Sequence, residues 1–496
     1  MILIIILRYP NFIFKPRFWA EEAFYYETFV SLDHWWQSFD VLIYPSYYLF
    51  LARLAPSLAT FFAPEHAPLV TSLVGLFVLS IPLIIIFFTD SAYWKTYKNK
   101  LLVSAFYIIS CTTGEVWLTS TNLGFIVPVI TFLILIDDNL QSTVKKFFYY
   151  PLVFISAVSG PISMIMAPFF FIKYFINKNN IFRNYCIILL VAGCIQMAYF
   201  LTTTYFGVTA EERLDWNSLN ISISFANLIA YSIVFPLFGY FISLTFREFF
   251  SLFLSGLDSK DILSALNISH DSSLILTGAI DIFSFIAHSL LYLVILIIIF
   301  FSFKTYKLAS LDKRIFFIGL FFYLCFMLNM LSLGANGGFR YSLITSFILL
   351  FYLHTLLIDF PNKRNYLVKF FISISLVIGC LEYYPRMHRY TPDTFVVEKI
   401  EWPLWKEEIL LWKSNNSYLP KAWPYKKNKD FIFPALLDNE SNNVCINLNH
   451  PRNWELMGSR YFSQSFNQMI STDPAELKKN DIIHFSNCIE YAIEKR

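Results

Sequence analysis

The 22 residues from Ala67 to Phe88, APLVTSLVGLFVLSIPLIIIFF, contain no charged side chain. About 20 apolar residues in helical form cross the hydrocarbon core of a bilayer, so this stretch predicts a transmembrane helix. Further long apolar runs predict spans at Tyr185–Phe206, Leu274–Phe303, Ile315–Leu333 and Phe339–Ile358. Shorter apolar runs predict additional helices at Leu101–Cys111, Leu123–Ile136, Pro151–Val158, Ile162–Phe175, Phe225–Thr245 and Val368–Leu381.

Two of the shorter runs carry a helix-breaking signal. Ser159-Gly160-Pro161 separates two apolar stretches and predicts helices that stop below the membrane surface. Phe225–Thr245 is interrupted by Pro236 and predicts a re-entrant or two-piece element, broken at that proline.

The composition of the whole chain agrees with this pattern. Of 496 residues, 56% are hydrophobic and 15% charged, with a mean hydropathy of +0.54, which excludes a disordered chain, a coiled coil and an ordinary soluble enzyme. Lys and Arg number 38 against 35 Asp and Glu, a balance that does not suggest a nucleic-acid partner. The sequence predicts an all-α polytopic membrane domain of about 10–13 helices.

The charges divide the chain into two parts. The segment 382–496 carries 30 charged residues among its 115, whereas the first 381 residues carry 43. We therefore predict a transmembrane domain at 1–381 and a small extracytoplasmic domain at 382–496. The runs Val444–Leu448 and Asp481–Phe485 resemble strands, so this second domain is expected to be α+β. Cys445 and Cys488 lie in it and are candidates for a disulfide.

The basic residues of the first part predict which loops face the cytoplasm. Membrane proteins concentrate Lys and Arg in cytoplasmic loops. The lysines at 95, 98 and 100, at 145 and 146, and at 173 and 178 therefore mark three cytoplasmic loops, and two further basic groups lie at 304–314 and 363–369. The loops between these groups carry acidic residues and are expected to face outward.

The densest polar group in an outward loop is Pro16–Tyr26, PRFWAEEAFYY, with Glu21 and Glu22 adjacent among aromatic residues. A carboxylate beside an apolar wall has a raised pKa and can remove a proton from a hydroxyl group. The alternative is that the two acids belong to a solvated acidic loop.

This loop resembles that of the GT-C class of integral-membrane glycosyltransferases, and Pro16–Glu22 is similar to a Pro-x-Phe-Trp-Ala-Glu-Asp pattern of bacterial members tied to O-antigen or surface polysaccharide modification. Further short matches span about residues 8–360 and include Thr121-Asn122, Ser159–Ser163 and Phe339-Arg340-Tyr341. Glu22 stands where the pattern often has Asp, and Ala23 where Gly is common.

The resemblance implies a reaction and gives Glu21 and Glu22 the catalytic role. We expect Glu22 to be the base, while its neighbour orients it or holds a divalent cation; no other cofactor or metal is expected. The leaving phosphate needs a cation, for which Arg340, with Tyr341 beside it, is the first candidate; the alternative for Arg340 is an interfacial arginine that contacts lipid headgroups. Additional substrate-binding candidates are Arg17, Arg53, Glu115 and Asn122.

The expected function is transfer of a sugar from a polyprenyl-phosphate donor to an extracytoplasmic glycan or lipid-linked acceptor, at the outer face of a bacterial inner membrane. Two alternatives stay open. One is a ligase or polymerase of lipid-linked glycans, which usually relies on outward arginines. The other is a transporter or flippase, which would place ionisable residues near the centres of its spans.

Overall fold

The computed structural model describes residues 2–19, 21–30, 32, 34–41, 47–89, 91–110, 116–137, 143–205, 227, 229–254, 311–331, 339–359, 365–382 and 404–414. Within these ranges the chain forms sixteen α-helices and no β-strand, which confirms the all-α prediction. Fifteen of these helices lie within 1–381, so the predicted number of about 10–13 was too low, because some apolar stretches form short separate helices. The two strand-like runs, Cys445 and Cys488 lie outside the described residues.

The helices of the described residues are numbered in chain order. They are α1 (Ile2–Arg8), α2 (Asn11–Phe14), α3 (Glu21–Val30), α4 (Phe50–Ala59), α5 (Ala67–Phe88), α6 (Tyr97–Ala105), α7 (Val127–Ile136), α8 (Thr143–Val158), α9 (Pro161–Met164), α10 (Ala167–Asn177), α11 (Asn180–Tyr205), α12 (Phe235–Leu254), α13 (Leu311–Leu331), α14 (Leu343–Asp359), α15 (Tyr366–Leu381) and α16 (Trp405–Ser414). The chain divides into two compact units. The first comprises Met1–Ser104, Thr112–Asp215 and Tyr383–Arg496, and the second Ala105–Cys111 and Trp216–Glu382.

Three stretches in the described residues are long and apolar enough to cross a membrane: Ala67–Phe88, Asn180–Thr203 and Arg340–Asp359. The bent pair α8 and α9–α10 adds a fourth if it counts as one span. Helix α5 has the bounds predicted from the sequence, and α11 begins five residues before its predicted start. The predicted span Leu274–Phe303 lies outside the described residues.

The break predicted at Ser159-Gly160-Pro161 is confirmed. The helices on its two sides meet at an angle of 120°, and Gly160 has φ +155°, a conformation that favours glycine. A Cβ at Gly124 would come within 2.7 Å of the Ser159 carbonyl oxygen. The two glycines therefore allow the bend to pack closely against the segment before α7.

Helix α7 is the centre of the first unit. All ten of its residues are buried, as expected of a helix that is apolar all round, and it packs on α5 and α8. At its carboxyl end Asp137 pairs with Lys145 (2.8 Å) and accepts a hydrogen bond from the Tyr149 hydroxyl. The Lys173 ammonium donates to the Leu135 carbonyl (2.7 Å).

Lysines from three predicted cytoplasmic loops lie at this same end of the first unit. Lys100 donates to the carbonyl of Phe87 (2.8 Å), near the end of α5, while Tyr149 interacts with Thr89 as well as with Asp137. Thr71 lies on α5 sixteen residues before Phe87. At 1.5 Å per residue, about 24 Å of helix separates Thr71 from Phe87, which is most of the thickness of a bilayer core.

The second unit contains a helix in two pieces, as predicted, but the predicted position of the break at Pro236 is wrong. The break is at Gly239, where φ is +84°, whereas at Pro236 the helix is continuous, because a π-helical turn, Ala230–Val234, runs directly into α12. Beyond the break, the Tyr240 N–H donates to both carboxylate oxygens of Glu382 (2.9 and 2.8 Å). The buried acid thus satisfies the backbone at the kink.

Candidate functional site

The candidate site begins at the first turn of α3, where Glu22 lies. The Glu22 N–H donates to the Trp19 carbonyl, and the Trp19 N–H donates to Glu22 Oε2, both at 2.9 Å. This reciprocal arrangement resembles a capping box, in which the acid at the third position satisfies a backbone N–H that precedes the helix. It starts the helix at this point and turns the Glu22 side chain inward, where the residue is 1% exposed.

Two further segments donate hydrogen bonds to the same carboxylate. The amide and the hydroxyl group of Ser120 both donate to Oε1, the hydroxyl at 2.7 Å. Thr71 of α5 donates to Oε2 over a longer distance, 3.4 Å. Glu22 therefore joins the start of α3, the first turns of α5 and the segment 116–122.

The segment 116–122 reaches Glu22 because it packs directly on α5. Leu118 has a left-handed backbone (φ +58°), and a Cβ at Gly75 would come within 2.9 Å of the Leu118 carbonyl carbon. Gly75 stands one helical turn beyond Thr71, on the same face of α5. Only glycine at 75 allows this approach without a shift of the backbone.

The other side of this segment is fixed to α1. The Trp117 indole donates to the Ile5 carbonyl (2.9 Å), and the guanidinium of Arg8 lies 4.4 Å from the centre of a Trp117 ring. Arg8 and Trp117 are both fully buried. Ser120 is thus held between two helices, with both of its donors directed at the Glu22 carboxylate.

Burial decides the electrostatics of the site. Removal from water raises the pKa of Glu22 from 4.5 to about 7, against the opposing effect of the hydrogen bonds from Trp19, Ser120 and Thr71. A carboxyl group with this pKa occurs in both protonation states near neutral pH. It can therefore accept a proton from a hydroxyl group and release it again.

Arg17 and Arg53 are both buried and both engaged by the protein. The Arg17 guanidinium pairs with Glu408 of α16 and lies 5.7 Å from the centre of a Trp405 ring. Arg53 of α4 donates to the carbonyls of Ser38 (2.9 Å) and Val41 (2.6 Å) and to the Tyr199 hydroxyl. These contacts fix the first loop; a role of either arginine in substrate binding stays a prediction.

The remaining predicted residues are placed as follows. Asn122 is buried two residues beyond Ser120 and donates to Thr119 Oγ1 (3.3 Å), so the structure brings it into the same segment as the donors to Glu22. Arg340 and Tyr341 belong to the second unit, in a 3-10 turn that leads into α14. Glu115 and the side chain of Glu21 lie outside the described residues.

Three residues of the site were not predicted. Ser120 and Thr71 contact the carboxylate and Glu408 contacts Arg17. The polar run Thr119–Asn122 between two apolar stretches was a signal for Ser120. No local pattern points to Glu408, because 391 residues separate it from Arg17.

The donors around Glu22 are amides and hydroxyl groups, and the described residues contain no group of three His, Cys, Asp or Glu side chains that could hold a metal ion.

Comparison of the chain with protein-family models, curated proteins and solved structures finds no match.

Proposed function

We propose that the protein is a GT-C-like glycosyltransferase of a bacterial inner membrane, which transfers a sugar from a polyprenyl phosphate to an envelope glycan or lipid-linked acceptor on the outer side. The observation that carries the proposal is the buried Glu22 carboxyl group, whose pKa of about 7 suits a general base at neutral pH. The position of Glu22 supports a site on the outer side of the membrane. Glu22 contacts Thr71 near the start of α5, whereas Lys100 of a predicted cytoplasmic loop binds the Phe87 carbonyl at the other end of the helix.

The proposed reaction is a single displacement with inversion. Glu22 removes the proton from an acceptor hydroxyl group as the oxygen bonds to the anomeric carbon of the donor sugar. The bond from that carbon to the phosphate oxygen breaks, and its electron pair leaves with polyprenyl phosphate. The phosphate departs without a strong acid, so a single carboxylate is sufficient for the proton transfer.

The surroundings of Glu22 impose a condition on this step. Its oxygens are occupied by Trp19, Ser120 and Thr71, and an acceptor hydroxyl group needs one of these positions. The Thr71 bond is the longest of these, at 3.4 Å, and the Thr71 hydroxyl has an alternative acceptor, the Pro68 carbonyl at 3.0 Å. The acceptor is therefore expected to displace Thr71.

The leaving phosphate calls for a cation, and Arg340 remains the proposed ligand. Arg17 and Arg53 contact Glu408 and backbone carbonyls respectively. A guanidinium group holds a phosphate through two parallel hydrogen bonds, which an ammonium group cannot do. Arg340→Lys is therefore expected to lower the transfer rate although it keeps the charge.

The test compares the surface glycans of host cells that lack the gene, carry the wild type, or carry Glu22→Gln, by mass spectrometry and NMR. Glu65→Gln is the matched control. Glu65 lies at the same end of α5 as Glu22, but it forms an ion pair with Lys413 and has no contact with Trp19, Ser120 or Thr71 among the hydrogen bonds described above. We expect one sugar substituent to disappear in the null strain and in Glu22→Gln, and to persist in the control. A normal glycan in the null strain would overturn the transferase proposal.

A proton-coupled transporter is a second candidate, favoured by the same carboxyl group. A buried acid that titrates near neutrality among hydroxyl groups also suits a proton-coupling site. An assay in reconstituted vesicles distinguishes the two functions. A transporter moves substrate across the membrane in a pH gradient and loses that movement in Glu22→Gln, while the glycan of the same mutant cells stays unchanged.

A further inference from the structure

Helix α16, near the carboxyl end of the chain, packs on the segments that surround Glu22. The Trp405 ring meets Phe18 edge-on at 5.3 Å, and the Trp405 indole donates to the Pro64 carbonyl (2.8 Å). The shared apolar cluster consists of Phe18, Ala23, Tyr26, Ala59, Ala67, Trp405, Ile409 and Trp412. Of the five tryptophans at 402–454, the two that the structure describes, Trp405 and Trp412, are thus core residues.

These contacts lie on both sides of the carboxylate. Phe18 precedes Trp19, which donates to Glu22, and Ala23 follows Glu22 directly. Ala67 begins α5, one helical turn before Thr71, which donates to the same carboxylate. A single helix therefore holds the start of α3 against the start of α5.

A buried ion pair fixes the position of α16. Arg17 and Glu408 are in direct contact, with their side chains 4% and 0% exposed. Removal of one partner of a buried ion pair is strongly destabilising, whereas replacement of both by apolar residues of similar size is often neutral. The second ion pair of α16, Lys413 with Glu65, is different, because the lysine is 47% exposed.

We infer that α16 clamps the candidate site, and that Glu408 acts through Arg17 as a positioning residue for Glu22. The clamp follows from the packing alone, whereas the effect on catalysis rests on the proposed function. Without the clamp, the start of α3 separates from the start of α5 and water reaches Glu22.

The first experiment measures the clamp without any assay of activity. Ile409 is 1% exposed within the apolar cluster, so a thiol introduced by Ile409→Cys reports whether α16 is docked. Its reaction with a maleimide is followed by mass spectrometry of the peptide around position 409, which separates it from the exposed native thiols of Cys194 and Cys380. The full-length protein in detergent carries this change alone or with Glu408→Met, Arg17→Met plus Glu408→Met, or Lys413→Met.

The ion pair predicts an ordered set of labelling rates. Glu408→Met should raise the labelling rate by about 100-fold, because Arg17 loses its counterion inside the protein. The double variant should return to the parent rate, since it buries no charge. Lys413→Met should change the rate by less than about fivefold, since the Lys413 side chain is half-exposed and solvent screens its charge. Equal rates in all four proteins would overturn the clamp.

The second experiment measures the pH dependence of sugar transfer in the same variants. In Glu408→Met the midpoint of the acid limb should fall by more than one pH unit from about 7, because hydration favours ionised Glu22. The double variant and Lys413→Met should keep the parent midpoint. A lower rate with an unmoved midpoint in Glu408→Met would overturn the positioning role. Absence of transfer from the parent protein would refute the proposed function, while the labelling result would still decide on the clamp.

Discussion

Replacement of Glu22 by glutamine should change how the free energy of unfolding depends on pH. The carboxyl group is fully buried, and its pKa is about 7 in the folded protein against 4.5 in its ordinary state. Between these two values the folded protein binds a proton at Glu22 that the unfolded chain has lost. The contribution of this group to stability is therefore fully present below pH 4.5 and is lost as the pH rises to 7.

The size of this loss follows from the pKa shift. Each unit corresponds to about 1.4 kcal/mol, so the difference between 4.5 and about 7 gives a loss of about 3 kcal/mol. Glutamine does not titrate, so the variant lacks this loss. It offers only one oxygen to the N–H groups of Trp19 and Ser120, which adds a destabilisation that is independent of pH.

The assay is equilibrium unfolding of the purified proteins in mixed detergent micelles, with increasing SDS, at several pH values from 4 to 8. The free energy of unfolding of Glu22→Gln, relative to wild type, should increase by about 3 kcal/mol over this range. Titration of all other groups cancels in the comparison. For Glu65→Gln the free energy of unfolding relative to wild type should instead decrease as the pH rises, because Lys413 lowers the pKa of Glu65.

Parallel stability curves for wild type and Glu22→Gln would contradict the raised pKa of Glu22. They would mean that Glu22 has the same proton affinity in the folded and unfolded states. The carboxyl group would then lack the pKa that makes it a suitable base at neutral pH, and the proposed mechanism would lose its main support.

Further predictions concern backbone packing and the buried arginine of α4. Gly75→Ala should destabilise the protein by about 1–3 kcal/mol in the same unfolding assay, because the new Cβ would meet the Leu118 backbone at 2.9 Å. Gly319→Ala is the control, since no atom lies within 4 Å of its Cβ. It should leave stability unchanged or raise it by up to about 1 kcal/mol. Gly239→Ala should destabilise by at least about 1 kcal/mol, since φ is +84° there. Arg53→Lys should cost about 1–3 kcal/mol and increase proteolysis of the first loop, because one ammonium group cannot replace all the guanidinium contacts; unchanged cleavage would contradict this.

The long apolar helices were predictable because hydropathy over some 20 residues is a local property of the chain. Helix α5 and the break at Gly160 illustrate this, since both follow from consecutive residues. The break near Pro236 was misplaced because both proline and glycine interrupt helices. Glycine alone supplies a positive φ, and the choice between Pro236 and Gly239 depends on Glu382, which is distant in the sequence.

The candidate site was predictable only in part. Glu22 was predictable as a site residue because charged residues are rare in so apolar a chain. Its burial depends on Thr71 and Ser120, which are 49 and 98 residues away. Long-range contacts of single polar residues leave no periodic signal in one sequence, and the same reason hides the pairing of Arg17 with Glu408.

The most direct test of the central proposal uses purified protein in proteoliposomes with a set of synthetic polyprenyl-phosphate sugars and an extract of envelope glycans as acceptor. Release of polyprenyl phosphate is measured at pH 7.5 for wild type, Glu22→Gln and Glu65→Gln. We expect release by wild type and the Glu65 variant, and a rate at least about 100-fold lower for Glu22→Gln. Equal release by wild type and Glu22→Gln, at equal amounts of folded protein, would contradict the assignment of Glu22 as the base.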